Sequence, residues 1–191
     1  MNSQSFTRIL RPQYGAVLRM LARALDACPK GLWDHRDGLE APFWAQALHA
    51  ISSTHFYLLD ELDGSAMRAL SAALSRELGV DAGQEQMPVD VPRLRKVIEK
   101  LTEPDAYPSI TLDKDALRHY LLAAQEAARV ILADSDRFDR PNIMPWSGAT
   151  LADRLVYNLR HAQHHIGRLH SILGRNHIGV PWVMGDDEGL A

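Results

Sequence analysis

Residues 151–173 read LADRLVYNLRHAQHHIGRLHSIL. Leu155, Leu159, Ala162, Ile166, Leu169 and Leu173 recur every three or four positions, the repeat of one face of an α-helix. Thr150 supplies an N-cap, Asp153 a negative charge in the first turn, and Gly174 a stop. At 100° per residue, His165 lies roughly 80° to one side of the apolar stripe and His161 roughly 120° to the same side. Four residues apart, they stack on one face, one turn above the other. Such a pair at the border of core and surface can share one ion without backbone strain, as in the helical zinc proteases. The glutamate of that protease motif is absent, since Ala162 follows His161. The Glu-x-x-His pattern of di-iron bundles is missing as well. His164 falls opposite the stripe and is expected in water, and His170 lies on the stripe's other side.

The same helical period recurs through the chain. Phe6, Ile9, Leu10, Val17, Leu18, Leu21 and Leu25 predict a helix over 5–27, ended by Cys28-Pro29-Lys30-Gly31. A loop, LWDHRDG, follows. A second helix starts near Pro42, a favourable first-turn residue, and runs to about Leu62 before Asp63-Gly64. Residues 65–111 are less regular. Short helices are expected at 66–78 and 92–101, around the polar loop GVDAGQEQMPVDV. A third long helix begins after Thr111, with Asp113 as N-cap and Leu117, Leu121, Leu122, Ala128, Ile131 and Leu132 on its apolar face. The loop RPNIMPWSG leads to the fourth helix, and the tail HIGVPWVMGDDEGLA is irregular. Alternating strand patterns are scarce. The expected fold is all-α: a four-helix bundle in one domain over 1–191, with a long helical excursion between the second and third long helices.

Composition removes several function classes. The net charge is −3 and the pI near 6.3. No basic run appears, which argues against a nucleic-acid partner, because such proteins need a basic surface to displace counterions. No apolar stretch approaches the roughly 18 residues of a membrane span. The N-terminus MNSQSFTRILRPQYG has no apolar signal core, and the one cysteine, Cys28, excludes an internal disulfide and a C-x-x-C site. Both features fit the cytoplasm. Cys28, beside Pro29 at a helix end, reads as a packing residue.

Nine histidines, three of them within 161–165, invite a metal reading. A third ligand beside His161 and His165 must come from His35, His49, His55, His119, His170 or His177. His49 and His55 share the second helix but lie about 120° apart around it, so only one of them fits. His55 falls on the stripe of Trp44, Leu48, Ile51, Leu58 and Leu62, and reads as a hydrogen-bonded core histidine. His49 falls on a flank with Ala45, Ser52, Ser53 and Phe56, which suits a surface position or the wall of a groove. Periodicity leaves the choice open. Arg154 and Asn158, on the flank of His161, read as ordinary groove polars or partners of the ligands. Trp33, Trp146 and Trp182 read as packing staples or pocket walls.

Two segments carry a family resemblance. YNLRHAQHHIGRLHSIL (157–173) and APFWAQALHAISSTHFYL (41–58) resemble the fourth- and second-helix signatures of the DinB/YfiT-like family of metal-dependent proteins. That resemblance implies a four-helix bundle, commonly a homodimer, with a three-histidine metal site. Matched by motif, the second-helix ligand falls on His49 and the fourth-helix pair on His161 and His165. Arg168 stands where relatives often carry glutamine, and is expected at the groove mouth or in water. The resemblance further implies a divalent ion (zinc, nickel or iron(II)) with an open coordination position, and a small-molecule substrate. By the same likeness the chain is expected to act as a transferase using a low-molecular-weight thiol, or as a hydrolase. The competing expectation is a non-enzymatic, stress-associated metal-binding bundle.

Overall fold

The computed structural model describes residues 3–36, 41–59 and 112–185. Within them lie α1 (Ser3–Ala27), α2 (Lys30–Trp33), α3 (Phe43–Phe56), α4 (Lys114–Ala133) and α5 (Leu151–Arg175), with 3-10 turns at Ser135–Arg137 and Pro145–Ser147. An isolated antiparallel bridge joins Pro141 to Thr150, and the described residues form no sheet. No described helix is long and apolar enough to cross a membrane. The short helices expected at 66–78 and 92–101 lie outside the described residues.

The four long helices close into a ring. α1 packs on α4 and α5, α3 packs on the same two, and α1 and α3 face each other across the bundle. Side-chain contacts give the directions. The Tyr14 hydroxyl donates to the Leu155 carbonyl at 2.9 Å, and Arg23 reaches Pro181 just beyond α5, so α1 and α5 run parallel. Arg118 pairs with Asp26 at the end of α1, while Phe138, past α4, meets Phe6 near the start of α1. α1 and α4 are therefore antiparallel. The Trp33 indole donates to the Leu112 carbonyl and packs on Phe43, and His55 packs on Tyr120. α3 and α4 thus run parallel. The chain leaving α3 must return the length of the bundle, about 30 Å, before α4 can start.

Burial follows the expected stripe on α5. Leu155, Ala162, Ile166, Leu169 and Leu173 are buried and His164 is exposed. α3 differs. All of its residues are buried except His55, so this helix has no polar face. It also ends at Phe56 rather than near Leu62. The Ser53, His55 and Phe56 carbonyls accept from the N–H groups of Tyr57, Leu58 and Leu59, and the Thr54 carbonyl from the Asn158 side-chain amide of α5 at 3.0 Å, a cap supplied by another helix. The loop expected after Gly31 instead completes a one-turn helix, because Trp33 turns inward to bond Leu112.

The N-terminus of α5 is held by a capping box. The Thr150 hydroxyl accepts from the Asp153 backbone N–H at 3.2 Å, and the Asp153 carboxylate accepts from the Thr150 N–H at 2.9 Å. Gly148 just before it has φ +123°, and a Cβ there would collide with the Asp153 side chain. Replacing Thr150 with alanine is expected to lower stability by about 1 kcal/mol, read from urea unfolding, with the histidine cluster unaltered.

Candidate metal centre

α3 and α5 run antiparallel, which sets His49 of α3 opposite the i, i+4 pair on α5. His49 Nε2 lies 3.1 Å from His165 Nε2, and His165 Nε2 lies 3.2 Å from His161 Nε2. Ring nitrogens of the three lie within 4.8 Å of one another. Hydrogen bonding accounts poorly for this convergence. An imidazole nitrogen carries one proton or one lone pair, so the shared His165 Nε2 satisfies only one of its two neighbours. A divalent ion fits better, since nitrogens bound at about 2.0–2.1 Å in a tetrahedron stand roughly 3.3 Å apart.

The two α5 rings are held neutral, the form that ligates. Burial, then the positive charge that His49, His164 and Arg160 would place nearby, pushes His161 down to about 4 from the usual 6.5. Burial with His49, His161, His164 and Arg168 pushes His165 down to about 2. His49 is buried and the α5 pair half-buried, so the cluster sits at the border of core and surface.

Aromatic rings wall one side. Tyr157 stacks on His161 with centroids 5.9 Å apart and planes 11° from parallel. Tyr57 meets both Tyr157 at 5.0 Å and His161 at 5.7 Å. The Trp146 indole donates to the Tyr57 hydroxyl at 3.2 Å. Tyr57 caps α3 with helical backbone dihedrals and its N–H on the Ser53 carbonyl at 3.1 Å, so it takes this place as a continuation of the helical turn. Trp146 is delivered by the loop before α5, which Asn142 ties to Met144, Ser147 and Gly148. Tyr57 and Tyr157 were not singled out from the sequence. The i, i+4 spacing of Tyr157 and His161 was the available signal for one of them.

The remaining histidines lie elsewhere. His35, His119 and His177 are exposed, and His170 packs toward Met20 of α1. His55 faces α4, with its ring 5.7 Å from Tyr120 and its Nδ1 buried without a hydrogen-bond partner. The sequence-level expectation of a hydrogen-bonded His55 is corrected here: its ring nitrogen has aromatic, not polar, company. Arg154 and Asn158 are corrected too. They are 2% and 0% exposed, interior residues rather than groove polars. Trp33 is buried, while Trp146 and Trp182 are exposed at 41% and 65%. Burial raises the Cys28 thiol to about 11, which leaves it protonated and inert. A cavity of ≈ 220 Å³ near the end of α5, lined by Leu32, Phe43, Ile172 and Arg175 among others, holds none of the three clustered histidines.

His55 carries a pH prediction. Burial lowers it from 6.5 to about 4. Below pH 6.5 the unfolded chain takes the proton first, so stability falls as pH drops from 6.5 toward 4. The loss at pH 4.5 is expected to be about 2–3 kcal/mol. Urea unfolding of metal-free wild type and of His55→Phe at pH 7 and 4.5 isolates it, since the other histidines cancel in the difference. Equal pH slopes would remove His55 as the cause.

Comparison with known proteins places these features in a family. Residues 13–169 match the DinB superfamily, a span that includes α3, α4 and both clustered helices' histidines. No curated protein and no solved structure matches the chain. With helical order, bundle architecture and the matched span in agreement, the chain belongs to the DinB superfamily.

Proposed function

We propose that the chain is a divalent-metal enzyme that joins a low-molecular-weight thiol to an electrophilic small molecule. The observation that carries this reading is the meeting of three imidazoles with no fourth His, Cys, Asp or Glu ligand in the cluster among the described residues. Three protein ligands leave a coordination position open, the mark of reactive rather than closed structural sites. His49, His161 and His165 would hold the ion, which supplies a thiol kept as thiolate at neutral pH. The thiol proton passes to solvent, the sulfur attacks the electrophilic carbon, the new C–S bond forms, and the leaving group departs with its electron pair. Tyr57, Tyr157 and Trp146 form an apolar wall that would shield the attacking sulfur from water and lie flat against an unsaturated substrate.

A panel of thiols and electrophiles, followed by loss of free thiol and by mass of the product, tests the proposal. Turnover should appear with the metal-loaded protein, stop with a chelator and return with added ion. His161→Ala and His165→Ala should both be inactive. Turnover that survives both substitutions removes metal catalysis. One tightly bound ion per chain with no turnover for any pair would favour the non-enzymatic metal-binding bundle.

A further inference from the structure

The charge around the histidines says which ligand the open position takes. This inference rests on the proposed metal site. Three neutral imidazoles leave the double positive charge of a divalent ion uncompensated. The arginines acting electrostatically on the cluster add to that charge: Arg160 on His161 and Arg168 on His165. Arg160 sits over the Tyr157 ring at 5.2 Å from its centroid, and Tyr157 in turn stacks on His161. His164 meets His165 edge-on at 5.2 Å. Arg168 follows His165 by three residues and falls, by helical rotation, about 20° beyond His161 on the side away from His165, on the same flank of α5.

Among the described residues no carboxylate joins the histidine cluster, and several are engaged elsewhere. Asp26 binds Arg118, Glu126 binds Arg129, Asp134 binds Arg137, and Asp153 caps α5. Arg160 and Arg168 are both exposed and make no ion pair among the described residues. On an ordinary surface helix, i, i+4 carboxylates would stand beside such residues. The positions four before and after each are instead Val156, His164 and Ile172. The histidine pair is thus flanked along α5 by two arginines whose backbone positions are separated by about 12 Å of helix rise and which make no ion pair among the described residues.

We propose that the site selects an acidic small molecule, a thiol that also bears a carboxylate, and that Arg160 and Arg168 determine this specificity. Its sulfur meets the open metal position, and its carboxylate lies against a guanidinium at the groove mouth. An aliphatic amine in place of the carboxylate would meet only positive charge.

Cobalt(II)-substituted protein tests this without any assay of turnover. The thiolate-to-cobalt charge-transfer band is titrated with mercaptoacetate and, separately, with cysteamine, in wild type and in the double variant Arg160→Gln/Arg168→Gln. Both arginines are exposed, so the variant should fold and bind one cobalt ion as wild type does. Mercaptoacetate should bind about five- to tenfold more weakly to the variant, and cysteamine no more weakly than to wild type. Comparing proteins rather than thiols cancels the different acidities of the two thiols. The wild-type preference should also shrink with added salt. Equal effects on both thiols, or no effect on mercaptoacetate, overturn the inference while leaving the metal site standing. Failure of wild type to bind cobalt overturns both together.

Discussion

Replacing His165 with alanine should reduce metal content from one ion per chain to a small fraction. His165 Nε2 is the nitrogen the other two rings share, 3.1 Å from His49 and 3.2 Å from His161. Without it the remaining pair lacks its common neighbour. Zinc binding to four-ligand sites amounts to about 10–16 kcal/mol, roughly 3 kcal/mol per ligand, so affinity should fall more than a hundredfold. Elemental analysis of untagged protein after gel filtration measures this. Stability should move with it. A ligand present at a hundred to a thousand times its Kd stabilises by about 3–4 kcal/mol. A chelator should therefore lower the Tm of wild type by about 5–10 °C and leave that of His165→Ala unchanged. His164→Ala is the control, because its ring is adjacent in sequence but exposed and outside the cluster. Wild-type metal content in His165→Ala would refute the site. So would loss in His55→Ala with retention in His49→Ala.

Asn158→Ala should be the most destabilising of the polar substitutions near the site. Asn158 is wholly buried and donates to the Thr54 carbonyl in the last turn of α3. One side chain therefore ties α5 to α3. Alanine leaves a buried carbonyl unsatisfied and a small void, together costing about 2–4 kcal/mol. The Tm should fall by roughly 5–15 °C. Asn158 precedes His161 by three residues, so slack between α3 and α5 also widens the histidine cluster. Metal affinity should drop about tenfold, as for other residues that support ligands. Asn158→Asp should be at least as damaging, since a carboxylate cannot donate to Thr54 and is costly to bury. Thermal melts and a metal titration on both variants decide it. An unchanged Tm in both would mean that α3 and α5 are held in register by apolar packing alone.

The two helices that make the cluster were unequally legible. α5 has one buried and one wet face, and this contrast is what periodicity detects. Its apolar stripe, its capping box, the exposure of His164 and the placing of His161 and His165 on one flank all follow from residues within four positions of each other. α3 is buried nearly all round, so every direction looks like core. The stripe drawn through Trp44, Leu48 and Ile51 placed His55 deepest, yet His55 is the least buried residue of that helix. Family resemblance pointed to His49, and the reason lay outside α3: α5 packs on the side where His49 projects, and α4 on the side where His55 does.

Amino-acid pattern by itself determined that this chain makes amphipathic helices, where most of the described ones begin, and that two histidines share a turn of the last. These are short-range consequences of helical rise and rotation. Only the tertiary structure decided which helix faces that pair, that Tyr57 at the end of α3 meets His161, and that Asn158 is an interior strut. Each of these depends on which neighbour fills the space beside a side chain. Packing between segments a hundred residues apart settles that, and local sequence does not encode it.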